Sequence, residues 1–434
     1  MARKVFVSVL GTGFYEKCRY VKDEFKSTET SFIQQATLEY LNAKEWESSD
    51  IALILLTQKA KKFNWNKTIA EKKYPRTKEL MPYVGLEKIL EDINLPIFSK
   101  PIDIPDGKDE EEMWKIFTIL FEELQDGDEL YFELTHSFRY LPMLVLVLGN
   151  YSKFLKGITI KHISYGNYEA RNEKEEAPII DLLPLSALQD WTFAAANYLE
   201  NGHVDRLVNL SNDSLRLLSK DEKTRTVDTQ NLRSFIKYLK LVVDERQTCR
   251  GIDIIESKNL KKLKKIANQL DKVVLEPFKP VFEKIRTSLD EFDEEENVKN
   301  GFASAKWCFD NNLYQSAATI LQESVVTFFC VRHGIAKADE ERRGIVNSAF
   351  FVKEHSTPEE KWNIKECDRE LFKDVLNDIL LEEKTLINLF LNLTTVRNDF
   401  NHSGMRLKQT PLSPKALKDN IEKCLNGFTQ LLYP

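Results

Sequence analysis

The hydrophobic pattern changes character near the middle of the chain. In the first half, short continuous apolar runs alternate with longer amphipathic stretches. Lys4–Leu10 (KVFVSVL), Ile51–Leu56 (IALILL), 129–134 (ELYFEL) and 158–165 read as buried strands, with a short strand also expected in 96–104. Between them, helical periodicity covers 31–43, 85–93, 110–124 and 141–155. Strands alternating with helices imply a mainly parallel sheet, and uninterrupted apolar strands imply burial on both faces. The charged loop 173–176 and the segment 178–185 read as the exit from this domain. Beyond 187 the strand pattern disappears. Helices are expected over 186–200, 204–218, 231–244 and 259–274. The acidic run 290–296 (DEFDEEE) marks a boundary. After it come a helical hairpin from 303 to 325, helices at 371–381 and 384–396, and a closing helix at 416–432 introduced by Ser413-Pro414. The expected fold class is α/β plus all-α: a domain over 1–185, a helical linker or relay over 186–299, and a helical domain over 300–434.

In open parallel sheets, ligands sit beyond the carboxyl ends of the strands. The distinctive loops fall there: Gly11-Thr12-Gly13-Phe14, Thr57, Thr135-His136-Ser137-Phe138-Arg139, and Tyr165-Gly166. Glycine lets backbone N–H groups approach an anion, and the Ser137–Arg139 stretch opens a helix N-terminus. A phosphate-bearing ligand fits these loops. The dinucleotide fingerprint fails, because its third glycine falls on Glu16, and no phosphate-loop lysine motif is present. The bland alternative is a tight turn at Gly11–Gly13 and a structural histidine at 136.

Composition narrows the chemistry. With 434 residues, 42% hydrophobic and 30% charged, this is the make-up of an ordinary multidomain globular chain. A net charge of −6 excludes a bulk polyanion binder, so any nucleic-acid contact must be local. The lysines at 258, 261, 262, 264 and 265 read first as a solvated helix face. Six scattered cysteines with no CxxC pair indicate a reducing, cytoplasmic location and argue against structural zinc. The histidines are isolated from one another, and no metal set is expected. The most apolar run, 141–148, is too short to span a bilayer, so no membrane association is expected.

One motif carries nucleolytic chemistry. Arg397-Asn398-Asp399-Phe400-Asn401-His402 follows the apolar stretch 386–393. A cation, two amides and an imidazole within two helical turns suit work on a phosphodiester. Arg397 would clamp the phosphate, His402 would move protons near neutral pH, and Asn398 and Asn401 would orient RNA or the imidazole. On one helix Arg397 and His402 stand roughly 140° apart. A helix end, a bend or a second copy across a two-fold axis would bring them together, so a homodimer is expected. The bland reading is a solvated face with capping amides.

Two resemblances coincide with these features. Trp307, Tyr314, Gln315 and Ala317 (W-x6-Y-Q-x-A), together with RNDFNH as an R-x4-H motif, make the C-terminal unit resemble a HEPN ribonuclease domain. The N-terminal unit resembles a CARF domain, the CRISPR-associated Rossmann-like sensor. Its DxTHG motif stands here as Glu133-Leu134-Thr135-His136-Ser137, with GTG at 11–13 and SYG at 164–166 also similar. The resemblance implies an ancillary effector of type III CRISPR defence. A cyclic oligoadenylate would bind the CARF dimer and switch on metal-independent cleavage of single-stranded RNA, leaving 2′,3′-cyclic phosphate ends. No cofactor is expected besides this activator. Its ligand-binding residues would be Gly11, Thr12, Gly13, Phe14, Thr57, Thr135, His136, Ser137, Phe138, Arg139, Tyr165 and Gly166. The alternatives are a non-catalytic nucleotide sensor and a CARF-based nuclease that degrades its own activator.

Overall fold

The computed structural model describes residues 2–66, 68–74, 78–136, 140–213, 215, 225–270, 276–381, 384–405 and 410–433. The described chain divides into two compact units, Met1–Ala187 and Leu188–Pro434. The first is α/β and the second is helical.

The first unit contains β1 (Lys4–Leu10), β2 (Arg19–Lys22), β3 (Phe25–Lys26), β4 (Ile51–Leu56), β5 (Ile69–Lys73), β6 (Leu80–Tyr83), β7 (Phe98–Asp103), β8 (Glu129–Glu133), β9 (Thr159–Gly166) and β10 (Glu176–Asp181). Eight of these form one sheet in the order β3-β2-β10-β9-β8-β1-β4-β7. From β9 to β7 all neighbours are parallel; β10 runs antiparallel to β9. Side chains alternate across the central strands. Val5, Val7, Leu53, Leu55 and Phe132 pack under the helices Glu110–Glu123 and Leu141–Lys156, with Ile116, Leu120, Leu144 and Leu148. Phe6, Ala52, Ile54 and Leu56 face the opposite core with Phe32, Leu38, Trp46, Tyr83 and Leu86. That two-sided burial explains the continuous apolar strands.

Three strands escaped the hydrophobic pattern on the β9 side. The segment taken as the domain exit contains β10, whose Ile179 to Asp181 pair with Gly166 to Ser164. Pro178 disguises it, since proline lacks a ladder donor. Here only its carbonyl is used, accepting from Asn167 N at 2.9 Å. β2 and β3 are short and half-buried, turning at Asp23 with φ 53°. The β5–β6 hairpin was also unforeseen.

The Leu141–Lys156 helix is apolar around most of its circumference. One face is core, whereas Met143, Val147, Tyr151 and Phe154 are exposed at 68%, 54%, 45% and 86%. Trp114, 58% exposed, borders them through Phe117, whose ring is 5.5 Å from that of Tyr151. Among the described residues no helix is long and apolar enough to cross a membrane.

The second unit shows helices where periodicity placed them, including Lys299–Asp310, Tyr314–Arg332, Arg369–Leu381, Lys384–Asn401 and Pro414–Leu432. Helices at Gly251–Glu256, Lys279–Thr287 and Glu340–Glu354 were not anticipated. Leu386, Ile387, Phe390, Leu393 and Val396 bury one face of Lys384–Asn401. Phe390 stacks on Phe350 of Glu340–Glu354 at 3.9 Å.

Candidate functional site

The strand ends of the first unit surround a cavity of about 590 Å³. Of the sequence-selected residues, Phe14, Thr135, His136, Tyr165 and Gly166 line it. Beneath them sits Glu133, fully buried at the end of β8. Ser8 Oγ donates to its Oε2 at 2.6 Å, and Thr135 N donates to its Oε1 at 2.7 Å. Burial pushes its carboxyl above the usual range, opposed by these hydrogen bonds. Thr135 Oγ1 accepts from Gly166 N at 2.7 Å, tying the β8 loop to the end of β9.

His136 stacks on Tyr15, ring centroids 3.9 Å apart. Burial lowers its pKa to about 4, so the ring is neutral at pH 7. Its Nε2 is covered and makes no hydrogen bond among the described residues.

The Gly11–Gly13 loop is shaped from behind by Asn64. Its Nδ2 donates to Gly11 O at 2.8 Å and Gly13 O at 2.7 Å, and Tyr83 OH donates to its Oδ1 at 2.7 Å. Asn64 lies in a π-helical turn, Lys61–Trp65, of a kind that recurs at functional sites. One amide thus fixes two carbonyls of the loop. Gly11 is needed for space: a Cβ would run into the Tyr15 hydroxyl.

Other selected residues are placed elsewhere. Thr12 and Gly13 are exposed and do not line the cavity. Thr57 is buried and its Oγ1 accepts from Ala60 N at 3.2 Å, capping the short helix that follows. Ser137, Phe138 and Arg139 lie outside the described residues. Tyr15 closes the GTGFY loop that the sequence singles out, though not as a ligand contact; sequence reading missed Glu16, Tyr20, Ser31, Tyr168, Glu169 and Arg171, which with it complete the lining. Tyr168 OH donates to Glu16 Oε2 at 3.2 Å, and the Arg171 guanidinium lies over the Tyr168 ring at 4.1 Å. Their signal was adjacency: Tyr15 and Glu16 follow GTGF directly, and 168–171 follow Tyr165-Gly166.

A second buried imidazole gives the first unit a pH dependence. His162 on β9 is 7% exposed and its Nε2 makes no hydrogen bond among the described residues. Desolvation lowers its pKa from 6.5 to about 4, Asp181 opposing. The unfolded chain therefore binds more protons between these values, and stability falls as pH drops from 6.5 toward 4. The loss is at most about 3 kcal/mol for this residue. His162→Phe should flatten that acid limb in a series of thermal melts; an unchanged slope would rule out His162 as its source.

In the second unit, the R-x4-H motif closes the Lys384–Asn401 helix. His402 N donates to Asn398 O at 3.1 Å and Gly404 N to Asp399 O at 2.9 Å. Ser403 and Gly404 then take φ values of 52° and 71°, reversing the chain. His402 and Asn401 are exposed and Asn398 is half-buried. No hydrogen-bond partner of the His402 ring is found among the described residues. Arg397 turns the other way, toward Tyr314–Arg332. Its Nη1 donates to Gln322 Oε1 at 3.2 Å and lies 3.5 Å from Glu323 Oε1. Gln322 is 3% exposed and is oriented by Thr394 Oγ1 at 3.0 Å. The helix thus presents its guanidinium and its imidazole in different directions. Of the five lysines at 258–265, Lys258 pairs with Glu256, Lys261 with Glu295, Lys264 donates to Phe292 O, and Lys262 lies over the Tyr238 ring at 5.6 Å. No group of three or more His, Cys, Asp or Glu suited to a metal ion occurs among the described residues.

No family model matches the chain. Over 263 residues it is 26% identical to CRISPR-associated protein MJ1674 of Methanocaldococcus jannaschii, a match covering 58% of this chain and 37% of that protein. The chain is a relative of a CRISPR-associated protein. It spans little more than a third of that relative's length. A solved structure, Enterococcus italicus Csm6 bound to cyclic hexa-2'-fluoro-hexa-dAMP, covers 99% of this chain and 94% of that one, with 9% identity and a TM-score of 0.45. A likeness at that level decides nothing about ligand or chemistry.

Proposed function

We propose that this CRISPR-associated relative is a cyclic-oligoadenylate-activated endoribonuclease that cleaves single-stranded RNA without a metal, as a homodimer in type III antiviral defence. The observation that carries the reading is that one helix bears an exposed imidazole at its end and a guanidinium aimed by a buried amide; the two point in different directions, so a second copy of the chain is needed to bring both to one phosphodiester. In cleavage, the substrate's 2′-hydroxyl gives up its proton and its oxygen attacks phosphorus. The bond to the 5′-oxygen breaks, and that oxygen takes a proton. The products are a 2′,3′-cyclic phosphate and a 5′-hydroxyl. His402 acts as acid or base in these transfers, and Arg397 holds the phosphate and its developing charge. Asn398 and Asn401 orient the RNA or the ring.

The activator's adenines and phosphates meet the cavity walls made by Phe14, Tyr15, Tyr165 and Tyr168 and the ring of His136. A cyclic, repeating ligand matches a two-fold axis. Coupling to the nuclease needs only a few kcal/mol of differential affinity between two dimer states.

The decisive assay is cleavage of a fluorescent single-stranded RNA in EDTA with a panel of cyclic oligoadenylates. Stimulation by one ring, lost in His402→Ala, supports the whole reading. Ring binding without RNA cleavage favours a sensor module, and ring breakdown seen by chromatography favours an activator-degrading enzyme.

The exposed Met143, Val147, Tyr151 and Phe154 stripe supports a second copy as the partner of this face, since large apolar patches seldom stay solvated. Phe154 is 86% exposed, so Phe154→Glu should leave the fold intact while shifting the mass in solution from dimer to monomer. A Phe154→Glu protein that sediments as the wild type does would remove this stripe from the interface.

A further inference from the structure

Glu323 stands between two guanidinium groups. Its Oε2 pairs with Arg343 Nη2 at 2.8 Å, and its Oε1 lies 3.5 Å from Arg397 Nη1. Arg343 is held firmly: its Nη1 donates to Thr327 Oγ1 at 3.0 Å and to Lys337 O at 3.3 Å. Its side chain is 16% exposed, against 31% for Arg397. Arg397 Nη1 instead donates its hydrogen bond to the neutral Gln322 amide oxygen.

The distances decide how charge is shared. Attraction between charges falls with separation, so the nearer Arg343 takes the larger share of the Glu323 carboxylate. A carboxylate and a phosphate compete for the same guanidinium edge, where both make short, charge-assisted bonds. A Glu323 closed onto Arg397 would neutralise the group and cover an edge that an anion needs.

We infer that Arg343 is a positioning residue for the Arg397 phosphate clamp: by holding the Glu323 carboxylate at 2.8 Å it keeps that group at 3.5 Å from Arg397 and from closing further onto the guanidinium edge a phosphate would use. The inference rests on the ribonuclease reading above and adds to it a residue outside the R-x4-H motif. Arg343 touches no substrate. Its effect on the reaction passes through Glu323. When Arg343 is lost, Glu323 keeps one cationic neighbour, Arg397, and swings to it. When both charges are lost, Arg397 retains its Gln322 contact and is free of a competing anion.

The test compares KM and kcat for RNA cleavage by the full chain, by Arg343→Gln and by Arg343→Gln/Glu323→Gln, with thermal melts of the same samples. For Arg343→Gln the expected result is a KM raised roughly tenfold or more, as for loss of one charge-assisted contact. The double variant should recover most of that loss. A merely structural role predicts the reverse, since the second substitution removes a further hydrogen-bonding carboxylate and cannot restore a loosened fold. An Arg343→Gln protein with wild-type KM overturns the inference, and so does a double variant as impaired as the single one. In both cases the wild-type protein still cleaves, so the ribonuclease reading stands. A wild-type chain that cleaves no RNA with any activator overturns that reading and this inference with it.

Discussion

His402→Ala is expected to lower activated RNA cleavage by about 10²–10⁴-fold, the range supplied by a positioned acid or base, with an unchanged melting temperature. The two halves of this expectation have separate grounds. The imidazole is exposed and no partner of its ring is found among the described residues, so removing it breaks no packing. The helix end is held by main chain: His402 N to Asn398 O, Gly404 N to Asp399 O, and the left-handed Ser403-Gly404 pair. Alanine leaves all of these in place. If the ring moves protons in the reaction, the one carboxylate within the motif, Asp399, is buried at 7% exposure and does not present itself to RNA in its place. Arg397→Lys makes the companion measurement. It keeps the charge but loses the planar fork, so KM should rise while some turnover survives. Full activity in His402→Ala would mean that another group carries the protons and that the motif is only a helix ending.

Much of this architecture is written in local pattern. Strands buried on both faces must be continuously apolar, so β1, β4, β8 and β9 announce themselves; the Lys384–Asn401 helix does so by its 3.6-residue period. β10 was illegible because Pro178 breaks the strand signal and the pairing with β9 is a long-range property. The site was half legible for a similar reason. Gly11, His136 and Gly166 carry recognisable local chemistry, whereas Asn64 matters only because folding places its amide behind two carbonyls 51 and 53 positions away. Thr57 illustrates the opposite error. Its position after a strand suggested a ligand contact, yet that is equally where a helix needs an N-cap, and the cap is what its hydroxyl makes. Arg397 shows both limits together. Its place in the motif is local, but Gln322 and Glu323 lie on another helix and could be assigned to it only from the fold.

Gly11→Ala is expected to weaken stimulation by the activator roughly ten- to a hundredfold, and a ranked series explains why. A Cβ at Gly11 collides with the Tyr15 hydroxyl and comes within 3.3 Å of His136 O. The hydroxyl is the end of a side chain and can move, but its ring is stacked on His136, so the wall of the cavity moves with it. The ligand then meets a displaced Tyr15, a reoriented His136 and a loop still pinned by Asn64. Each tenfold loss of affinity corresponds to about 1.4 kcal/mol, and overpacking of this kind typically costs about 1–3 kcal/mol. The activator concentration for half-maximal cleavage should therefore rise by roughly ten- to a hundredfold. At Gly13 a Cβ comes no closer than 3.2 Å, to the Tyr15 ring, and the residue is exposed, so Gly13→Ala should have a smaller effect. Thr12 is exposed and lines no part of the cavity, so Thr12→Ala should have the least. In a Thr12→Ala/His136→Ala double variant the loss should accordingly come from His136. The order Gly11, Gly13, Thr12 separates a site read through the Tyr15–His136 wall from one read through the exposed crest of the loop. If Thr12→Ala proves as damaging as Gly11→Ala, the crest is the contact surface, and the cavity behind it is only the space left by packing.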